Sequence, residues 1–167
     1  MYNLRMKIEE LDKDLNKIKE KTPHLYSDIF YVSVPFHQFY KKLLGDADSV
    51  LKSNYGISSI ELDALACLYY SGGDDYILSP KSLSGRLLFS SSSLAKLLKR
   101  LEKMGCLIRV PNEDDKRSTL VQLTKKGEDI LLKGSLDIKE SDEKSFESLN
   151  EEDFESLKNI LFKLNRK

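Results

Sequence analysis

The chain has 167 residues, enough for one domain or a small domain with helical attachments and long enough to bury a core. Hydrophobic residues make up 40% and charged residues 32%, a helix-friendly composition in which no apolar run nears the roughly 20 residues of a membrane span. The N-terminus lacks a signal-peptide core, so a cytoplasmic location is expected. Two cysteines, Cys67 and Cys106, and two histidines, His24 and His37, have no metal-ligand or disulfide-framework spacing, which leaves the metal and cofactor expectation at none.

Residues 1–22 read as a polar helical arm. Met1, Leu4, Ile8, Leu11, Leu15 and Ile18 alternate three and four apart, a heptad seam able to pair with a twin or to lie along its own subunit. Thr22-Pro23 breaks the helix or starts a new one. His24 to Val34 is apolar and aromatic enough to be buried. Pro35 then starts or kinks a helix whose broad apolar face carries Phe36, Phe39, Tyr40, Leu43, Leu44, Ala47, Val50 and Leu51, within a region bounded at 23–56.

Tyr55-Gly56 ends that helix, and Ser58 with Glu61 is a capping box for the next, whose buried face includes Ile60, Leu62, Leu65, Ala66, Leu68 and Tyr69. Gly72 to Asp75 is a turn, and Tyr76 to Leu78 can add a short strand. Ser79-Pro80 is an N-cap followed by proline at the first helical position, opening a short helix that ends at Leu87 or Leu88. Only a few residues precede the next helix, which is the spacing of a helix-turn-helix.

That next helix, capped by Ser91 or Ser92, places Leu94, Leu97, Leu98, Leu101 and Met104 on one face. Ser92, Lys96, Lys99 and Lys103 gather on the opposite face with Arg100 on its flank. Hydroxyls at a helix start followed by a basic stripe suit entry into a DNA major groove, so Ser91, Ser92, Ser93, Lys96, Lys99, Arg100 and Lys103 are the candidate DNA-binding residues. A solvated amphipathic helix would carry the same lysines, so the flanks decide between the two. After Gly105 come two strand patterns, Cys106 to Val110 and Thr119 to Leu123, around a polar turn at Asn112 to Arg117. Lys116 and Arg117 stand at its tip, where arginine can enter a minor groove or clamp a phosphate, and Asp115 can orient it. The winged helix is bounded at 57–124.

Residues 125–167 read as C-terminal helices. Thr124 caps a long one carrying Ile130, Leu131 and Leu132, with a bend expected at Gly134-Ser135. Leu149-Asn150 starts the last, with Phe154, Leu157, Ile160, Leu161 and Leu164 on one face. The fold class is mainly α with a small β wing.

The net charge is zero, but its distribution is uneven. Ser79 to Gly127 holds eleven Lys or Arg against four Asp or Glu, a local +7, and the remainder holds 16 against 23. A basic module on an acidic body binds phosphate locally and repels DNA elsewhere. There is no glycine-rich phosphate loop, no His-Glu-x-x-His and no Gly-x-Ser-x-Gly, so no enzyme is expected.

The run from Leu78-Ser79-Pro80, through the Ser90 to Ser93 cluster and Leu101-Glu102-Lys103-Met104-Gly105, to Asp115-Lys116-Arg117-Ser118 and Leu123-Thr124-Lys125-Lys126-Gly127 resembles the MarR (multiple-antibiotic-resistance-regulator) type of bacterial winged-helix transcription factors. The Leu-Ser-Pro opening and the serine-rich turn look most like the branch regulating multidrug efflux. The resemblance implies a homodimer joined by its N- and C-terminal helices, binding double-stranded DNA at a palindrome. It further implies repression relieved by a small aromatic effector, for which Phe36, Phe39, Tyr40, Tyr69 and Tyr70 are the candidate lining. Two alternatives stay open: a winged helix used for protein binding, and a thiol-based redox sensor acting through Cys67. Ala95 and Cys106 depart from the family pattern, where members often carry a polar and an aliphatic residue.

Overall fold

A computed structural model describes residues 8–113, 115 and 117–166. Met1 and Leu4 of the expected seam, and Lys116 of the expected wing tip, lie outside the described residues. The elements in chain order are α1 (Ile8–Lys21), a 3-10 turn (Pro23–Leu25), α2 (Phe30–Tyr55), α3 (Ser59–Ser71), β1 (Ile77–Leu78), α4 (Pro80–Leu87), α5 (Ser91–Lys103), β2 (Leu107–Pro111), β3 (Thr119–Leu123), α6 (Lys125–Phe146) and α7 (Glu151–Asn165). The fold is mainly α with one small antiparallel sheet, ordered β1-β3-β2.

The chain divides within α2 into two compact units, Met1–Asp46 and Ala47–Lys167. In the first, Leu11 and Leu15 of the expected seam are buried and Ile18 is partly so. Lys19 Nζ sits 5.2 Å from the centroid of the Tyr26 ring, and the Tyr26 hydroxyl donates to Asp28 at 2.6 Å. The expectation that His24 to Val34 is buried is overturned, because Leu25, Ile29, Tyr31 and Val32 are all exposed. An apolar stretch gains burial only where a second surface covers it, and among the described residues nothing covers these four side chains.

Pro35 does not start α2 but lies inside it. The helix begins at Phe30, where Tyr31 N–H bonds Asp28 O at 3.1 Å and Val32 N–H bonds Ile29 O at 3.0 Å. With the entry made by such three-residue bonds, the missing proline amide costs one bond near a helix start.

The second unit is built around Leu51, Ile57, Leu65, Leu68, Leu83, Leu98, Leu101, Leu107, Val121 and Leu131, all fully buried. Cap chemistry sets its corners. The Ser58 N–H donates to Glu61 Oε2 at 2.9 Å, Ser79 Oγ accepts from Ser82 N–H at 3.1 Å, and Thr124 Oγ1 accepts from Gly127 N–H at 3.1 Å. Ser59 N–H also donates to Asp48 at 2.7 Å, and these hydrogen bonds hold the Asp48 carboxyl below its ordinary range. Gly105 follows α5 with φ +73°, the left-handed residue that lets the chain turn directly into β2.

The expected bend at Gly134-Ser135 does not interrupt α6, which runs unbroken from Lys125 to Phe146. Glycine serves close packing here: a Cβ at position 134 would lie 2.9 Å from Leu51 and 3.1 Å from Leu62. Tyr55 OH and Asn54 Nδ2 each donate to Asp137 at 2.8 Å, tying the end of α2 to α6. In α7 no side chain is buried, and Phe154, Ile160, Phe162 and Leu164 are exposed.

Candidate nucleic-acid interface

The helix-turn-helix is α4 and α5. Leu88, in a left-handed conformation (φ 53°), ends α4, and Ser84 Oγ donates to Phe89 O at 2.6 Å to close the turn. The cap of α5 is Ser90, not Ser91 or Ser92: its Oγ accepts from Ser93 N–H at 3.3 Å. Ser91, Ser92 and Ser93 therefore form the first helical turn. The Ser92 and Ser93 hydroxyls lie 3.2 and 3.0 Å from Ser90 Oγ. Among the described residues the Ser91 hydroxyl has no partner.

Leu94, Leu98 and Leu101 bury the inner face of α5, which fixes the helix's rotation about its axis. The exposed side then presents Ser91, Ser92, Ala95, Lys96, Lys99 and Lys103, as the 3.6 period requires.

Arg100 has a different place from the one its flank position suggested. Its Nη1 bonds Glu61 Oε2 and its Nη2 donates to Gly56 O at 2.6 Å, so it anchors α5 to the start of α3. The Glu61 side chain is 7% exposed and that of Arg100 is 52% exposed. Burial pushes the Glu61 carboxyl up, but the hydrogen bonds from Arg100 and Ser58 outweigh it and hold the group below the usual glutamate range. Position 61 is legible in the sequence as a capping-box glutamate. That it also meets a residue 39 positions later leaves no local signal.

The wing is β2 and β3 in register from Leu107 opposite Leu123 to Pro111 opposite Thr119, one residue later at its start than the expected Cys106. Arg109, absent from the candidates, braces the wing: it pairs with Glu102 at 3.4 Å and reaches Thr119 Oγ1 at 3.5 Å. At the turn, Asp115 Oδ1 accepts from Arg117 N–H at 3.1 Å and lies 3.6 Å from Arg117 Nε. The Arg117 side chain is 96% exposed at this tip, with its backbone fixed by Asp115 and its guanidinium in solvent.

The aromatic candidates fall into the two units. Phe36 and Tyr40 are exposed on α2 and Phe39 is partly buried. Tyr69 stacks on Tyr76, with centroids 5.0 Å apart at 15°, and so belongs to the base of the wing. Tyr70 is 74% exposed and borders a groove of about 420 Å³ with Asp63, Cys67 and Arg86. Burial pushes both the Cys67 and the Cys106 thiols up, the reverse of what a reactive thiolate needs. Among the described residues no group of three His, Cys, Asp or Glu could hold a metal, and no helix is long and apolar enough to cross a membrane.

Comparison with known proteins places this geometry. Residues 55–118 match the model of the MarR family. The chain is 41% identical over 75 residues to the HTH-type transcriptional regulator PecS of Dickeya dadantii, a match covering 45% of each chain. It thus spans under half the length of that curated relative. Among solved structures, a mutant MarR from E. coli complexed with operator DNA superposes with a TM-score of 0.68 at 23% identity, over 84% of this chain and 100% of that one. The organohalide-sensing regulator RdhR-CbdbA1625 in its 2,4-dichlorophenol-bound form gives 0.71 at 22%, over 86% and 83%. PecS and RdhR-CbdbA1625 are transcriptional regulators by name. The chain has the fold of the solved MarR proteins, and its segment 55–118 matches the MarR family model.

Proposed function

We propose that this chain is a sequence-specific DNA-binding transcriptional regulator that acts as a homodimer on a palindromic operator. The observation that carries the proposal is the outer face of α5. It presents a serine-rich start and then Lys96, Lys99 and Lys103 to solvent, on a helix held by Leu94, Leu98, Leu101 and the Arg100–Glu61 pair. In this reading α5 enters the major groove, where Ser91, Ser92 and Lys96 meet base edges and Lys99 and Lys103 meet phosphates. Lys116 and Arg117 at the wing reach the adjacent minor groove, and Asp115 fixes the backbone that carries Arg117. Arg100 is a positioning residue.

The exposed apolar residues of α2 (Val32, Phe36, Tyr40, Leu44) and of α7 (Phe154, Ile160, Phe162, Leu164) support the homodimer. Two copies would set the α5 helices one helical turn apart, about 34–36 Å, on a twofold site. Control is by repression relieved by a small aromatic effector. The exposed aromatics of α2 and the groove beside Tyr70, where Arg86 offers a cation next to apolar walls, support that part. An effector releases DNA only to the extent that it binds the released dimer more tightly.

The test is the salt dependence of duplex binding. Wild type should lose affinity steeply as salt rises, and Lys99→Ala and Lys103→Ala should each lower the slope of log K against log salt by about one. A folded dimer with no affinity for duplex DNA at low salt would contradict the reading.

A further inference from the structure

The exposed side of α5 carries one residue that no electrostatic role explains. Ser91, Ser92, Ser93, Lys96, Lys99, Arg100, Glu102 and Lys103 all bring a hydroxyl or a charge to solvent, and Ala95 alone among the exposed residues brings a methyl group. Ala95 lies between a group assigned to base edges, Ser91, and one assigned to phosphates, Lys99. Lys99 is one turn after it and Ser91, whose hydroxyl has no partner among the described residues, is one turn before it. Side chains four apart on a helix have their Cβ atoms about 5–6 Å from each other. Ala95 and Ser91 therefore form one short edge carrying a methyl and a free hydroxyl donor. That edge borders a hollow of about 520 Å³ shared with Lys81 of α4 and Arg109 of β2.

A methyl beside a hydroxyl able to donate is complemented in the major groove by thymine, with the methyl contact as the discriminating part. Thymine presents an acceptor oxygen, O4, next to its C5-methyl, whereas cytosine presents a donor and lacks the methyl, and purines present acceptors or a donor without any methyl. We propose that Ala95 is a specificity-determining residue that packs against the C5-methyl of one thymine in each operator half-site, with Ser91 donating to an acceptor on that side of the groove. This rests on the DNA-reading function proposed above and adds to it a base preference at one position. A longer side chain at 95 would hold the thymine methyl off, and a glycine would leave it hydrated.

The experiment is a cycle between protein and DNA, on the duplex that the wild-type protein selects from a random pool. Each thymine is replaced in turn by uracil, which removes the methyl and keeps O4, and affinities are measured for wild type and for Ala95→Gly. The expected result is one thymine per half-site where uracil weakens wild type roughly fourfold, the worth of one buried methyl group. For Ala95→Gly the same replacement should change affinity little. Because thymine and uracil are compared within each protein, any loss of helix stability from glycine cancels. A wild type indifferent to uracil at every position overturns the assignment, as does a uracil penalty that persists in Ala95→Gly. Failure of the DNA-reading function itself would look different, since no duplex would be selected and Lys96→Ala would change nothing.

Discussion

Leu65 and Leu101, at the centre of the winged helix, are fully buried within a single chain, whereas Ile160 and Leu164 on α7 stand exposed, Leu164 at 73%. The two regions have similar apolar content, and they differ in whether one chain can cover it. In the lobe, caps and turns close every corner, and α3, α4, α5 and the sheet cover one another. Along α7 no side chain is buried, although its apolar residues recur at helical spacing. A sequence pattern thus reports which face wants covering and leaves open what covers it. The first half of α2 teaches the same lesson, with Val32, Phe36, Tyr40 and Leu44 four apart and all exposed.

Substitutions in the two regions should therefore fail differently. Leu65→Ala, which opens a cavity in a closed core, should cost about 2–5 kcal/mol of lobe stability independent of protein concentration, measurable by urea unfolding. Ile160→Glu should leave the lobe's unfolding unchanged and weaken self-association by about 2 kcal/mol or more, measurable by sedimentation equilibrium. If Ile160→Glu instead unfolds the lobe, α7 packs within its own chain and the contrast collapses.

A finer contrast lies within α5, between the residues that read and the residue that holds. Lys96→Ala should cost about 1–3 kcal/mol of operator affinity and relax discrimination at one base pair, with unfolding unchanged. Arg100→Ala should cost about 1–2 kcal/mol of stability, because it leaves the buried Glu61 carboxylate with a lost charged partner. Its pH dependence has a definite sign. Glu61 is held below its ordinary range in the folded lobe, so its contribution is complete above the unfolded glutamate pKa and fades as pH falls through the lowered folded value. Acid unfolding of Arg100→Ala should accordingly begin at higher pH than that of wild type, and equal onsets would remove the pair from the stability account. The smallest effect is expected at the wing tip. Arg117→Ala should leave the fold intact and reduce the salt slope of DNA binding by about one, since its exposed pairing with Asp115 contributes little to folding.

Much of the lobe is legible in the sequence because its signals are local. Ser79-Pro80, Ser58 with Glu61, Thr124 and Asn150 each mark a helix start within a few residues, and each stands there in the structure. The strand Thr119–Leu123 follows from a β-rich run after a polar turn, and its β1 partner from the short apolar run after Gly72 to Asp75. What escaped depends on distance along the chain. The Arg100–Glu61 anchor spans 39 residues and the Tyr55–Asp137 bond spans 82, so no window of sequence contains either. Competition among equals escaped too: four consecutive serines are all good caps, and only the packing of Leu94 and Leu98 selects Ser90. The exposure of Leu25, Ile29, Tyr31 and Val32 is not legible in the sequence, because apolar content alone carries no address for its partner.

The central claim is that two copies of α5 read a symmetric DNA site. It is tested most directly by incubating the purified protein with a randomised duplex pool at near-physiological salt, then selecting and sequencing the bound DNA. Enrichment of one palindrome, with half-sites centred about one helical turn apart, is the predicted result. A folded, self-associated protein that enriches no sequence would contradict it.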